Sequence, residues 1–410
     1  MSPRVANVLL AVGATLLALC ALEVALRVLN LAAPTYQYGD AEVGWRSAGT
    51  GAMRTDTCWD LVAKRSVTFP RNEAGARSPH AVAVLRSDSV VAIGVSGDSH
   101  TDLCAPDSLV HFGIMERRMR DAGVPAATFS TGAGKYSPLQ AYLATRQMLA
   151  ENNAKVFVLN LYTGNDFLDL LRVDDRPSLV ATDSGYRIQP PVWYSYDAPG
   201  TVRNVRVWGL LLNLVEKTSV TQVFVRFRYL RDVARLQGKG FGSVFGYMDD
   251  LRRAASPTTV YPQAFSAQML NQHLFFARFP GSRDESLRRL KFLLELVRSE
   301  QPGRLLVFSP IPSYQLVHAG TPNAEFDAVL NRLSIPRGDG VALESHLYAD
   351  AVRLAREAGW LVIDNLGSLQ ALESPMPLYN AADYHIEPRA SAVIGNNQAT
   401  AILERLRVAR

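Results

Sequence analysis

The sequence predicts an α/β fold: a doubly wound, mostly parallel five-stranded sheet, preceded by an N-terminal transmembrane helix and interrupted by a helical insertion. Three observations predict it. Short apolar runs near 90–95, 127–129, 156–161, 304–309 and 360–363 alternate with stretches whose apolar residues recur at helical spacing. An uncharged stretch from Val5 to Leu22 has close to the roughly 20 residues that cross a bilayer. Between about 172 and 272 the strand-and-helix rhythm breaks. The chain therefore divides into a membrane anchor over 1–32, an extended strap over 33–88, and an α/β domain over 89–410 that carries the insertion.

In the anchor, Arg4 precedes the apolar stretch, and Glu23 and Arg27 stand one helical turn apart, where they can pair or snorkel at the membrane surface. The helix can then run toward Leu31 before Pro34 ends it. A cleaved signal peptide competes with an uncleaved anchor, but the apolar core is long and no clean small-x-small site follows it. Cys20 does not signal a lipoprotein, because Leu19 stands where a small residue is needed. Positive charge at Arg4 and the amino terminus favours an inside N-terminus. The expectation is a single span in the inner (cytoplasmic) membrane, with the remaining chain periplasmic. Outside the span only Cys58 and Cys104 remain, an even pair in an oxidising compartment, so a disulfide pinning the strap beside the first core loop is expected; two free thiols are the alternative.

Composition narrows the function classes. With 48% hydrophobic and 20% charged residues, the 410-residue chain is ordinary for a folded protein and unlike a disordered one. A net charge of +5 without a lysine-rich tail argues against a nucleic-acid binder and suits a negatively charged envelope or membrane surface.

The strap is rich in Gly, Arg, Thr and Pro and shows no lasting period, with Trp45 and Trp59 as anchoring bulk and a turn at 72–75. The first core strand, from Val90, ends in Gly97-Asp98-Ser99-His100, and Leu109, Phe112, Ile114, Met115 and Met119 predict a helix up to Gly123. Ser99 then lies on the connecting loop, where helix-start N–H groups can receive developing negative charge. A strand at 127–129 leads through Gly132, Gly134, Lys135 and Tyr136 into a helix over about 139–152. The strand at 156–161 ends in Thr163-Gly164-Asn165-Asp166. The insertion carries Trp208, Phe224, Phe227, Arg226, Arg228 and Arg231, and reads as a helical cap on the sheet or the membrane. Ser282-Arg283-Asp284-Glu285 reads as a capping box opening the next helix. A strand at 304–309, a helix through Leu343, Leu347 and Leu354, a last strand at 360–363 and a final helix over about 391–408 complete the domain.

Loops that connect parallel strands to their helices open on one edge of the sheet, so Ser99, Gly134 and Asn165 are expected together. Asp383-Tyr384-His385 precedes the final helix. His100 and His346 also come two residues after a carboxylate, but only His385 adds a proline three residues on and a helix beyond. A serine hydroxyl needs an imidazole to take its proton, and a carboxylate to fix that ring's tautomer. His100 is a rival base, although a neighbour on a tight turn points elsewhere.

Gly97-Asp98-Ser99, Gly164-Asn165-Asp166 and Asp383-Tyr384-His385, in this order and spacing, resemble the SGNH (GDSL) hydrolases, in particular their membrane-anchored bacterial members. The resemblance covers roughly Ser89 to the C-terminus without the insertion. It implies Ser99 as nucleophile, His385 as general base and Asp383 as its orienting partner. It also implies an oxyanion hole built from the Ser99 N–H, the Gly134 N–H and the Asn165 side chain. Lys135 directly before Tyr136, and Arg389-Ala390-Ser391 after the histidine, depart from the family pattern. The activity implied by the resemblance is that of a serine esterase or O-acyltransferase acting on acyl, chiefly acetyl, esters of envelope glycans or similar small esters through an acyl-serine. A non-catalytic accessory subunit of a membrane complex is the competing reading. No cofactor is expected: the sequence has no phosphate loop, Cys/His cluster or paired-histidine helix.

Overall fold

A computed structural model describes residues 2–28, 37–47, 49–60, 65–172, 176–191, 245–246, 272–320, 327, 330–331, 334–372, 377–380 and 384–408. Helix α1 (Pro3–Val28) is largely exposed over residues 3–25. At about 1.5 Å per residue it is long enough to cross a bilayer, and among the described residues it is the one helix both long and apolar enough to do so. The side chain of Arg27 lies outside the described residues, as does Pro34.

The strap has more regular structure than its sequence predicts. Strands β1 (Gln37–Asp40) and β2 (Gly44–Ser47) form one antiparallel hairpin, and β3 (Arg54–Asp60) and β4 (Arg65–Arg71) another. No period shows in the sequence because most outward positions are polar or small and few inward ones are apolar. Trp45 is buried, its ring 5.5 Å from that of Tyr136, whose Oη donates to the Trp45 carbonyl at 2.6 Å. The side chain of Trp59 lies outside the described residues. The expected turn at Asn72 is present, closed by the Gly75 N–H on the Asn72 carbonyl at 2.9 Å.

The core strands are β5 (Val91–Ser96), β6 (Ala126–Ser130), β7 (Val156–Tyr162), β10 (Leu305–Ile311) and β11 (Leu361–Val362), all parallel in the order β11-β10-β7-β5-β6. Strands β8 (Ser178–Thr182) and β9 (Gly185–Gln189) lie apart as a hairpin. The helices are α2 (His111–Asp121), α3 (Pro138–Glu151), the single turn α4 (Asp166–Asp169), α5 (Pro280–Glu300), α6 (Arg337–Glu357) and α7 (Pro388–Val408). After β6 the chain crosses β5 to reach β7, so the winding direction reverses at β5. In a doubly wound sheet that reversal opens a crevice at the carboxyl ends of the strands.

Period-two alternation places the core on both faces. Phe157 and Leu159 of β7 pack with Leu139 and Leu143 of α3, Leu290 and Leu294 of α5, and Leu347 of α6. Val156 and Val158 face the other way, toward Phe112, Met115 and Met119 of α2 and Ile394 and Ile402 of α7. Fully burying one such side chain stabilises the fold by about 1.5–3 kcal/mol.

Three expectations need correction. Helix α2 begins at His111, and Leu109 lies in a preceding 3-10 turn, 37% exposed, so a long loop and not a helix N-terminus comes after Ser99. The insertion opens as the hairpin β8/β9, with Thr182 facing Gly185 across a two-residue turn where Gly185 has φ 131°. The β-branched residues flanking Asp183-Ser184-Gly185 are an ordinary hairpin signal. The rest of the insertion, including Trp208 and the arginines at 226, 228 and 231, lies outside the described residues. Helix α5 starts two residues before Ser282, with Pro280 in its first turn and no side-chain cap at Phe279. The capping box instead opens α3, where Ser137 and Gln140 exchange hydrogen bonds at 3.2 and 3.1 Å.

Candidate active site

Strand β5 ends at Ser96 and the chain turns at once. The N–H groups of Thr101 and Asp102 donate to the Asp98 carbonyl at 3.0 and 3.1 Å, and the His100 N–H donates to Asp98 Oδ1 at 2.9 Å. A Cβ at Gly97 would overlap Thr101 Oγ1 and stand 3.1 Å from the Asn160 side chain, so this sharp exit from the strand requires glycine. The turn leaves Ser99 half-buried on a cavity of about 230 Å³, while Asp98 and His100 point inward.

His385 lines the same cavity as Ser99. It is delivered by a closed chain reversal before α7. The Tyr384 N–H donates to the Asn380 carbonyl, the Asn380 N–H to the His385 carbonyl and the Glu387 N–H to the Leu378 carbonyl, each at 2.8 Å. Tyr384 adopts φ 58° and is buried against Tyr314, ring to ring at 4.9 Å. Asp383, the expected orienting carboxylate, lies outside the described residues.

The loop after β6 brings Gly134 beside Ser99: a Cβ there would be 3.9 Å from Ser99 Cβ. Lys135 comes next, with φ 69° and an exposed side chain. Asn165 sits just beyond β7, on the strand next to β5, and precedes the turn α4. Its Nδ2 donates to Asp169 Oδ2 at 2.9 Å, and Asp169 Oδ1 is 2.6 Å from Arg176 Nη1.

Beneath the Ser99 loop lies a buried acidic group. Burial lifts the Asp98 carboxyl to about 6, against lowering by the His100 N–H and the His385 ring. Burial, then repulsion from Asp98 and Asp169, pushes Asp166 well above the usual carboxylate range, while the Tyr162 N–H donates to its Oδ2 at 2.8 Å. Two such carboxyls titrate together. His100 is buried. Its ring stacks on Tyr162 at 3.6 Å, and burial, with the nearby His385 and His111, holds it well below the usual imidazole range.

The disulfide joins Cys58 of β3 to Cys104 of the Ser99 loop, with their Cα atoms 5.8 Å apart. Cys104 and Asp60 therefore both wall the cavity. No metal-holding cluster of His, Cys, Asp and Glu is found among the described residues.

Sequence reasoning missed Asp169 and Arg176 beside Asn165, and Arg77, whose guanidinium ties the strap to the Ser99 loop through Asp107 Oδ1 at 2.7 Å and the Leu103 carbonyl at 2.6 Å. The four-residue spacing of Asn165 and Asp169 was a usable signal. Arg176 and Arg77 left none, because their partners are distant in sequence or are backbone carbonyls.

No protein-family model matches the chain, and a search of curated proteins finds no match. Among solved structures, the chain is similar to a lipase/acylhydrolase from Enterococcus faecalis at 11% identity and TM-score 0.34, covering 77% of this chain and 96% of that one. It is similar to an acetyl xylan esterase at 10% identity and TM-score 0.36, covering 76% and 100%. A GDSL-like lipase from Bacteroides thetaiotaomicron VPI-5482 matches at 9% identity and TM-score 0.33, covering 77% and 89%.

Proposed function

We propose that this chain is a membrane-anchored, extracytoplasmic serine ester hydrolase or O-acyltransferase working through an acyl-Ser99 intermediate. One observation carries the reading: Ser99 and His385 line one cavity, with Gly134 against the serine and Asn165 at the end of the neighbouring strand. Ser99 Oγ attacks the acyl carbonyl while His385 takes the hydroxyl proton. The tetrahedral oxyanion accepts from the backbone N–H groups of Ser99 and Gly134 and from Asn165 Nδ2, and one such donor is worth about 3 kcal/mol of barrier. His385 then returns the proton to the departing alcohol. Water, or a second hydroxyl in a transfer reaction, attacks acyl-Ser99 by the same route in reverse. Asp383, two residues before His385, is the group that would hold the ring's tautomer.

The exposed apolar helix α1 and the disulfide support a location beyond the cytoplasmic membrane, with the membrane itself as partner. A cavity of about 230 Å³ lies below the roughly 300–1,000 Å³ of drug-sized sites and suits a short acyl group, such as acetyl on an envelope glycan. The test is fluorophosphonate labelling of the intact detergent-solubilised chain. Wild type should be labelled at Ser99 and should release acetate from O-acetylated glycan, and Ser99→Ala should do neither. A folded wild type that takes no label would favour the accessory-subunit reading instead.

A further inference from the structure

We propose that Asp169 is a positioning residue that fixes the amide orientation of Asn165, an inference that rests on the acyl-Ser99 reading. Asn165 precedes the turn α4 and Asp169 closes it, with the Asp169 N–H donating to the Asn165 carbonyl at 3.0 Å. One helical turn separates the two side chains, so they share a face. Asn165 Nδ2 donates to Asp169 Oδ2 at 2.9 Å. The other carboxylate oxygen is 2.6 Å from Arg176 Nη1 and 3.6 Å from Arg172 Nη1. Asp169 and Arg176 are 7% and 3% exposed, so this clamp is dry.

The chemistry of the two groups makes the arrangement directional. A carboxylate only accepts, whereas the planar amide has one accepting and one doubly donating end. Turning the Asn165 amide over would set its Oδ1 against Asp169 Oδ2, two acceptors in contact in a buried setting. Asn165 Oδ1 is itself buried and has no hydrogen-bond partner among the described residues, so nothing there selects the orientation from the oxygen side. The selection comes from Asp169. With one N–H taken by Asp169, the second is the one that would meet the oxyanion in the acyl-Ser99 reading. Arg176 holds the carboxylate so that this N–H does not wander.

A double-mutant cycle tests the proposal with a chromogenic acetyl ester on the full-length chain in detergent, with the fluorophosphonate labelling rate of Ser99 as a second readout. Asp169→Ala should lower kcat by about tenfold or more while KM stays within about twofold, because the oxyanion donor matters once charge has developed. In an Asn165→Ala background the same change should move kcat less than about twofold, since the donor it positions is already gone. Asp169→Asn keeps the volume and one accepting atom but lets its own amide turn, so a smaller loss is expected; this variant carries the cycle if Asp169→Ala does not fold. Equal factors in both backgrounds would show that Asp169 acts independently of Asn165 and would overturn the inference, as would an unchanged kcat. If wild type is neither labelled nor active, the acyl-Ser99 reading fails and the inference fails with it. If wild type is active and the cycle is additive, the inference alone fails.

Discussion

Replacing Arg77 with methionine should remove about 4 kcal/mol of stability and loosen the loop that carries the disulfide. Arg77 is fully buried, and its guanidinium makes three bonds into one loop: to Asp107 Oδ1 at 2.7 Å, to the Leu103 carbonyl at 2.6 Å and to the Ala105 carbonyl. It also lies over the Phe69 ring at 4.1 Å, while its backbone pairs in both directions with Ser130 of β6. One residue therefore joins the strap, the sheet and the Ser99 loop. Each hydrogen bond from a charged donor is worth about 1.5–3 kcal/mol, and a cation over an aromatic ring adds about 0.5–2 kcal/mol. Methionine recovers part of this through apolar packing, which brings the net loss toward the roughly 3–5 kcal/mol seen when one partner of a buried ion pair is removed. At about 2–4 °C per kcal/mol for a domain of this size, Tm should fall by about 10 °C.

The loss at Arg77 should depend on pH. Burial already raises the Asp107 carboxyl, and Arg77 is the main influence pulling it back down. Without Arg77 its folded pKa rises further above the unfolded value, so the stability linked to its proton is present at low pH and lost as pH rises through the folded pKa. Arg77→Met should then be nearer wild type at pH 5 than at pH 8. Thermal and urea denaturation monitored by circular dichroism on the non-reduced chain measures both quantities. A loss under about 1 kcal/mol, or a deficit that grows toward acid, would refute the reasoning.

Further expectations concern the disulfide and a second buried carboxyl. The Cys58–Cys104 link closes a loop of 46 residues, for which chain entropy gives about 4 kcal/mol. The Cys58→Ser/Cys104→Ser pair should melt earlier and, because Cys104 walls the cavity, should raise KM more than it lowers kcat; unchanged Tm and KM would count against that role. Glu344 of α6 is buried beside Gln272, which in turn braces the Asn165 loop through the Thr163 carbonyl at 2.7 Å and the Leu168 N–H at 3.2 Å. Burial raises the Glu344 carboxyl from 4.5 to about 8, so the fold keeps a proton that the unfolded chain gives up. That contribution is fully present below pH 4.5 and declines by up to about 1.4 kcal/mol per pH unit as pH rises toward 8. Glu344→Gln, which mimics the protonated form, should match wild type near pH 4.5 and exceed its stability at pH 8. Parallel stability curves across that range would place the proton elsewhere.

How much of this was legible in the sequence depends on the range of the forces involved. The five core strands and most flanking helices were readable because burial on both sheet faces writes period-two and helical patterns directly into the residues, as in 156–162. The strap hairpins were not, because they are held by Arg77, by Gln140 Nε2 on the Val43 carbonyl and by Tyr136 Oη on the Trp45 carbonyl, contacts that no local pattern encodes. Ser99, Gly134 and Asn165 were expected together from the rule that parallel-strand loops share an edge, and His385 from the motif before the last helix. The helix expected from Leu109 begins two residues later, because Leu109 happens to continue the apolar spacing while lying in a separate turn. The buried acidic group was invisible, since only the fold brings Asp98 to Asp166 and Asp169.

The two departures in local backbone conformation nearest the cavity fall where the catalytic reading needs rigid delivery. Lys135, φ 69°, comes directly after Gly134, and Tyr384, φ 58°, precedes His385. A non-glycine residue in the left-handed region is disfavoured by roughly 1–2 kcal/mol, so each must be held by its surroundings. Tyr384 is held by its N–H on the Asn380 carbonyl and by burial against Tyr314. Lys135 is held by its neighbour Tyr136, whose N–H donates to the Ala133 carbonyl at 3.1 Å and whose side chain is locked under Trp45 of the strap. Lys135 therefore sends its side chain to solvent and leaves Gly134 beside Ser99. A strap residue with no catalytic group of its own thus fixes the second loop, and the same strap fixes the first through Arg77 and Cys58. That gives a physical reason for this α/β domain to carry a wrapping segment between the N-terminal helix and the first core strand.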